Sequence, residues 1–174
     1  GIDKEVRTSD STPLKFITHC PECDTALIRT QEEANFYCPN SKQCPPQIKG
    51  KIEHFVSRKA MNIALAGATI EQLFNAGLLK NYADFYTLKF TDVVRLARFA
   101  EKSAHKLIES IEASKQVPFP RVLYALGIRH IGDASAKTLA KKFTSLNNLM
   151  NASLEELQQT EDVGEIVAQS IKNF

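Results

Sequence analysis

Residues 121–142 read Arg-Val-Leu-Tyr-Ala-Leu-Gly-Ile-Arg-His-Ile-Gly-Asp-Ala-Ser-Ala-Lys-Thr-Leu-Ala-Lys-Lys. Val122, Leu123, Leu126 and Ile128 supply apolar side chains on the incoming side, and Ile131, Ala136, Leu139 and Ala140 on the outgoing side. This spacing predicts two short helices joined by a tight hairpin. Gly127 and Gly132 bracket the turn, where the absence of a Cβ permits left-handed backbone angles and the close approach of another molecule. Gly132 stands at the predicted start of the second helix, whose free N–H groups and positive dipole end suit a phosphate oxygen. Arg129, His130 and Lys137 add donors nearby. An ordinary helical corner with a glycine C-cap looks the same in isolation, so the rest of the chain has to decide.

The full chain of 174 residues can hold one ordinary domain or two small ones. Its apolar fraction of 43% and charged fraction of 24% are those of a water-soluble globular protein. No run is long and apolar enough to cross a bilayer, and no secretion signal opens the sequence. A cytoplasmic location with no membrane partner is therefore expected. The formal charge is only +2, but it is unevenly spread. Residues 1–41 carry four basic and seven acidic groups, residues 42–94 seven and four, residues 95–142 ten and four, and residues 143–174 one and five. A basic middle between acidic ends fits a polyanion-binding surface, although solvated helix faces give the same count.

All four cysteines lie between residues 20 and 44. Cys20 and Cys23 form a Cys-x-x-Cys knuckle; Cys38 and Cys44 form a second, wider pair. A short β-excursion separates them, with Ala26-Leu27-Ile28-Arg29 going out and Asn35-Phe36-Tyr37 returning. Two knuckles each place two sulfurs on one side of a tetrahedral ion, the arrangement of a structural zinc site. Disulfides would require export, which nothing here suggests, and a redox Cys-x-x-Cys would leave Cys38 and Cys44 unexplained. Four protein ligands leave no position for a reacting water, so no metal catalysis is expected. The metal would fold a segment too short to fold alone.

Residues 1–18 read as a connector, with a polar patch from Thr8 to Pro13 and one short strand at Leu14, Phe16 and Ile17. Pro45-Pro46 closes the zinc module. From Gln47 to Ala60, Ile48, Ile52, Phe55 and Val56 recur at helical spacing, with His54 beside the stripe as a partly buried, hydrogen-bonded histidine. A loose repeat of helix, small-residue turn and helix follows. Its units are Met61–Phe74, Val93–Ile108, the stretch quoted above, and Leu154–Ile171. Gly77-Leu78-Leu79 and Pro118-Phe119-Pro120 separate them as helix stops. Four such corners have the layout of helix–hairpin–helix elements, which hold a DNA backbone without reading its bases. The expected fold is mainly α: a small four-cysteine zinc finger with a short β-hairpin over residues 19–46, then an all-α domain of four helix–hairpin–helix units over residues 47–174.

This order, and the wording at several points, resembles bacterial NAD-dependent DNA ligase. The matching phrases are Thr18-His19-Cys20-Pro21-Glu22-Cys23, Cys44-Pro45-Pro46-Gln47, His54-Phe55-Val56-Ser57-Arg58, Ile70-Glu71-Gln72-Leu73, Ala100-Glu101-Lys102-Ser103-Ala104, Ala125-Leu126-Gly127-Ile128-Arg129-His130-Ile131-Gly132 and Val163-Gly164-Glu165-Ile166-Val167-Ala168. The resemblance runs from about Thr8 to the C-terminus. It implies an enzyme that seals nicks in duplex DNA during replication and repair, taking AMP from NAD onto a lysine in a Lys-x-Asp-Gly motif. That motif does not occur here. By the resemblance, the chain is the zinc-finger and helix–hairpin–helix portion of such a ligase, inactive alone. The nucleotidyltransferase domain, an OB-fold before residue 8 and a BRCT domain after residue 174 lie outside it. NAD and Mg2+ would act through those domains, and structural Zn2+ through Cys20, Cys23, Cys38 and Cys44. The implied partners are nicked double-stranded DNA and the other domains of the same ligase chain, with monomer as the default state.

The implied DNA contacts are Gly127, Ile128, Arg129, His130, Gly132 and Lys137 at hairpin three, Val163 and Gly164 at hairpin four, Gly67 at hairpin one and Lys102 at hairpin two. The family's first hairpin usually carries Gly-x-Gly, whereas here only Gly67 remains; Ala100 stands where many members have glycine. A Cβ restricts both φ and the approach of a phosphate, so structural packing is the competing reading for hairpins one and two. Asp162 and Glu165 would repel a phosphate at hairpin four if they faced it. The competing reading for the whole chain is a zinc-nucleated helical module that binds another protein, which would show an exposed apolar patch and weak salt dependence. A self-contained enzyme is disfavoured: no paired carboxylates, nucleophile with base, or phosphate-cradling glycine loop with lysine is present.

Overall fold

A computed structural model describes residues 12, 15–29, 35–96 and 99–174. Chain contacts divide it into two units, Gly1–Pro45 and Pro46–Phe174. Regular structure among the described residues of the first unit is limited to two isolated antiparallel bridges, His19–Ala26 and Ile28–Tyr37. The arms of the expected β-excursion meet at the second bridge, where the N–H of each residue donates to the other's carbonyl at 2.9 Å. The tip at residues 30–34 lies outside the described residues, as does most of the connector, including Leu14 of the expected short strand. Cys20 and Cys44 are the only buried residues described in this unit, while Phe16, Ile17, Ile28 and Phe36 are exposed. Among its described residues the module has no apolar core.

The rest is helical. Helix α1 (Pro45–Val56) is followed by α2 (Gly67–Asn75), a 3-10 helix (Tyr82–Thr87), α3 (Phe90–Val93), α4 (Glu101–Ser114), α5 (Phe119–Ala125), α6 (Asp133–Phe143), α7 (Leu146–Asn151), α8 (Leu154–Gln158) and α9 (Glu165–Lys172). No described helix is long and apolar enough to cross a membrane. Pro45 and Pro46 open α1, a position where the missing N–H costs nothing. The α1 stripe buries Ile52, Phe55 and Val56. Its helix ends at Val56, short of the Ala60 expected from periodicity, because the carbonyls of Phe55 and Val56 accept from the N–H groups of Met61 and Ile63 at 3.0 Å. The chain thereby doubles back, with Asn62 in a left-handed conformation at φ 55°. Met61–Leu65 is consequently non-helical, which corrects its assignment as the first helix of the first repeat. In the second repeat only Phe90–Val93 is helical ahead of the hairpin, and Val94–Leu96 already turns.

Gly77 ends α2 as expected: it is left-handed at φ 73°, and the next N–H, from Leu78, donates back to Leu73 at 3.0 Å. Pro118-Phe119-Pro120 separates α4 from α5 by opening the latter. Helix α7 was not legible as a separate element; Ser145 accepts from the Asn148 N–H at 3.2 Å and starts it. Two cores result. Ile52, Phe55, Leu73, Leu79, Phe85 and Leu107 anchor the first, and Leu123, Leu139, Phe143, Leu149 and Leu157 the second. In the first, the Phe55 ring stacks between Tyr82 and Phe85, with centroids 4.5 and 6.0 Å away.

Candidate metal centre and nucleic-acid interface

The four cysteine sulfurs converge. Cys20 Sγ lies 3.9 Å from Cys44 Sγ, and Cys23 Sγ 3.5 Å from Cys38 Sγ. All four lie within 4.8 Å of one another. A tetrahedral ion with bonds of about 2.3 Å to sulfur separates its ligands by about 3.8 Å, so this donor set fits zinc. The first knuckle is closed by the Asp24 N–H donating to the Cys20 carbonyl and the Cys20 N–H to the Thr25 carbonyl, both at 2.9 Å, with Asp24 left-handed at φ 54°. The wider second knuckle is a single turn: the Cys44 N–H donates to the Asn40 carbonyl at 3.1 Å, and the Gln43 N–H to Asn40 Oδ1 at 3.2 Å. That turn absorbs the extra residues between Cys38 and Cys44. Asn40 Nδ2 also donates to Thr25 Oγ1 at 3.3 Å, tying the knuckles together. The Thr25 hydroxyl, 3.2 Å from Cys23 Sγ, and next the Thr25 backbone N–H, hold the Cys23 thiol down at about 6. Burial, the largest influence on Cys38, pushes its thiol up.

Thr25 therefore favours the thiolate that zinc requires. Thr25→Val is expected to raise the Cys23 thiol toward its ordinary value and let protons compete with the metal. Zinc affinity should fall at least several-fold at about pH 6, with the deficit narrowing as pH rises toward about 9. Competition with a chromophoric chelator across that range measures it. A pH-independent deficit would mean that Thr25 acts through packing.

The hairpins place the other residues. Gly127 is left-handed at φ 65°, as expected, but Gly132 is not: it N-caps α6 in extended geometry at φ −90°, and the second left-handed residue of the turn is His130 at φ 67°. A Cβ on Gly132 or Gly164 would meet nothing within 4 Å, so both backbones face open space. Gly127, Arg129 and His130 are exposed around this turn, whereas Ile128 and Val163 bury their side chains in the second core. Those two can offer DNA only backbone. Lys137 Nζ lies 2.7 Å from Asp133 Oδ2 on the exposed face of α6. Lys102 is exposed in the first turn of α4. Gly67 is exposed too, but Glu53 Oε1 lies 2.9 Å from where its Cβ would stand, so a carboxylate already sits at the start of α2.

The four helices that follow the hairpins share one feature. The N-caps of α2, α4, α6 and α9 are Ala66, Ala100, Gly132 and Gly164, none with a side-chain cap. Elsewhere Asn81, Ser145 and Ser153 cap the 3-10 helix, α7 and α8 with their own oxygens. Helices α3 and α5 also lack a side-chain cap at the N-cap residue, but α5 opens on proline, which removes a donor, and at α3 Asp92 accepts from the Lys89 N–H. The sequence reading missed this pattern at Ala66 and Ala100 by looking only for glycine. The absence of Ser, Thr, Asp or Asn before those helices was the available signal.

Residues 121–174 match the family of helix-hairpin-helix motifs, and residues 19–45 match the NAD-dependent DNA ligase C4 zinc finger domain. Over 172 residues, 98% of this chain, it is 52% identical to a DNA ligase of Phocaeicola vulgatus. It is 51% identical over its whole length to a DNA ligase of Parabacteroides distasonis, and 52% to one of Christiangramia forsetii. Similarity to DNA ligases extends over the whole chain. The chain spans 26% of the length of each of these ligases. The ligase zinc finger match covers all of the knuckle residues from Cys20 to Cys44, in agreement with the sulfur geometry. The helix-hairpin-helix match spans hairpins three and four, where both open glycines lie.

Proposed function

We propose that the chain grips duplex DNA around a nick, without reading sequence, as part of an NAD-dependent ligase that seals nicks in replication and repair. The supporting observation is the set of helix starts that carry no side-chain cap and follow the hairpins. Uncapped N–H groups at a positive dipole end suit phosphate oxygens. At α6 and α9 they lie beside open glycine backbone. Gly127, Ile128, Arg129, His130, Gly132 and Lys137 form the grip at hairpin three, with Val163 and Gly164 at hairpin four and Lys102 at hairpin two. Gly67 is the weakest of these contacts, because Glu53 occupies the anion position. Zinc holds the first module in shape. The adenylation chemistry, with NAD and Mg2+, belongs to other parts of such a ligase, and the chain alone is expected to be inactive.

Fluorescence anisotropy of the chain against nicked, intact and single-stranded DNA at two salt concentrations tests this. If four phosphates are neutralised, duplex affinity should fall about a hundredfold between roughly 50 and 200 mM salt. Arg129→Ala should weaken binding about equally on all duplex sequences and lower the salt slope by about one. A loss that tracked sequence would rule out backbone gripping at Arg129.

One observation favours a second reading, docking of another protein. Leu126, Ile128, Leu146, Met150, Ile171 and Phe174 line an apolar groove of about 320 Å3 beside α7 and α9. Binding that ignores salt, or none to any DNA, would favour it.

A further inference from the structure

Helix α5 is fastened at both ends to the part of the chain that holds the first core. At its C-terminal end, His54 Nε2 donates to the Tyr124 carbonyl at 2.8 Å, and the Tyr82 hydroxyl donates to the Leu126 carbonyl at 3.4 Å. These carbonyls lie in the last turn, where a helix offers no i+4 donor; that of Tyr124 also accepts from the Gly127 N–H at 3.1 Å, and both immediately precede the turn of hairpin three. At the other end, Arg121 donates from Nη2 to the Arg58 carbonyl at 2.7 Å and from Nε to the Lys59 carbonyl at 3.2 Å. Both donors at the C-terminal end are themselves held. The His54 ring meets the Tyr124 ring edge-on at 4.7 Å and stands 3.3 Å from the Cβ position of Gly127, and Tyr82 is stacked on Phe55.

The only covalent link between α4 and α5 is the short segment from Lys115 to Pro118. Apolar contact across the two cores is non-directional and tolerates sliding, whereas hydrogen bonds fix orientation. We propose that His54, assisted by Tyr82, is a positioning residue that sets the angle between the first hairpin pair (residues 46–114) and the second (residues 119–174). It thereby sets the spacing between the phosphates that α4 and the pair α6 and α9 can hold together. Only this last step rests on the DNA-gripping function. Two hairpin pairs that engage one duplex act as linked sites, and linked sites lose avidity when their geometry no longer matches the target.

The test uses the whole zinc-loaded chain. His54→Phe keeps a ring but removes the donor, and His54→Gln returns an N–H near the Nε2 position. Backbone residual dipolar couplings report the orientation of each hairpin pair. One alignment tensor is expected to fit both pairs in the parent chain and in His54→Gln, and to fail in His54→Phe. Tyr82→Phe, which loses only the hydroxyl, should shift the second pair in the same direction by less, and it serves as readout if His54→Phe does not fold. A single unchanged tensor in the Phe variants would overturn the clamp. On DNA, His54→Phe should lose about tenfold in affinity for a duplex long enough to meet both pairs and little for one that reaches a single pair. An unchanged ratio of the two, with a shifted tensor, would overturn the spacing role. Failure of the parent chain to bind any duplex would sink the gripping function instead, and the couplings would still decide the clamp.

Discussion

Cys20→Ser is expected to unfold residues 19–45 and leave both helical cores standing. The described part of the first unit buries only Cys20 and Cys44 and leaves Phe16, Ile17, Ile28 and Phe36 at the surface. Two bridges and a few turn hydrogen bonds cannot offset the conformational entropy lost in ordering this segment. The metal has to supply the difference, and structural zinc in small fingers contributes about 10–16 kcal/mol at neutral pH. Replacing one thiolate by a hydroxyl removes a ligand that zinc binds as an anion and leaves three sulfurs without a tetrahedral site. Neither helical core contains a described residue before Ile48. The amide spectrum of Cys20→Ser should therefore lose dispersion for residues 19–45 alone, and helical circular dichroism should change little. Chelation of zinc from the parent chain should reproduce this. Dispersed signals for the module without metal would show that the cysteines are held by packing instead.

The second large effect is expected at Gly127→Val. Gly127 sits at φ 65°, and its Cβ position lies 3.3 Å from His54 Cδ2. An ordinary L-residue pays about 1–2 kcal/mol for left-handed geometry, and a β-branched one more. The added methyls must also displace the His54 ring, which removes one of the two donors to the Tyr124 carbonyl and leaves it the Gly127 N–H at 3.1 Å, at a further cost of about 1 kcal/mol. Together these give a loss on the order of 3 kcal/mol, read as a lowered urea midpoint. Gly132→Ala is the contrast. Its backbone is extended and its surroundings are open, so stability should move by no more than about 0.5 kcal/mol. Weaker DNA binding without loss of stability there would place a phosphate against that backbone. Equal destabilisation at the two glycines would contradict the turn geometry.

The cysteine cluster was legible because thiol spacing is a direct statement of metal chemistry, and the turn between Cys38 and Cys44 only had to accommodate it. Hairpin three was legible because its apolar residues keep helical spacing on both sides of two glycines. Met61 and Ile63 misled for a physical reason: both are buried, but in a segment whose N–H groups terminate α1 instead of continuing a helix. Burial without a pitch looks helical over five residues. The left-handed conformation of His130 carries no sequence signal, since a non-glycine residue adopts it only when the surrounding structure demands it. His54 was read as a hydrogen-bonded histidine, and it is one. Its acceptor, 70 residues away in sequence, could not be named without the fold.

Helix α5 has a consequence for how the helical domain comes apart. Leu123 is buried in the second core and Ala125 in the first, two residues apart on one short helix. Tyr124, between them, packs against both. A helix of seven residues cannot release one face and keep the other. The two hairpin pairs, though each has its own apolar centre, are thus bound into a single cooperative unit. Damage far out on α9 or α2 is felt as a loss of stability by the whole array, and neither pair persists as a folded half when the other melts.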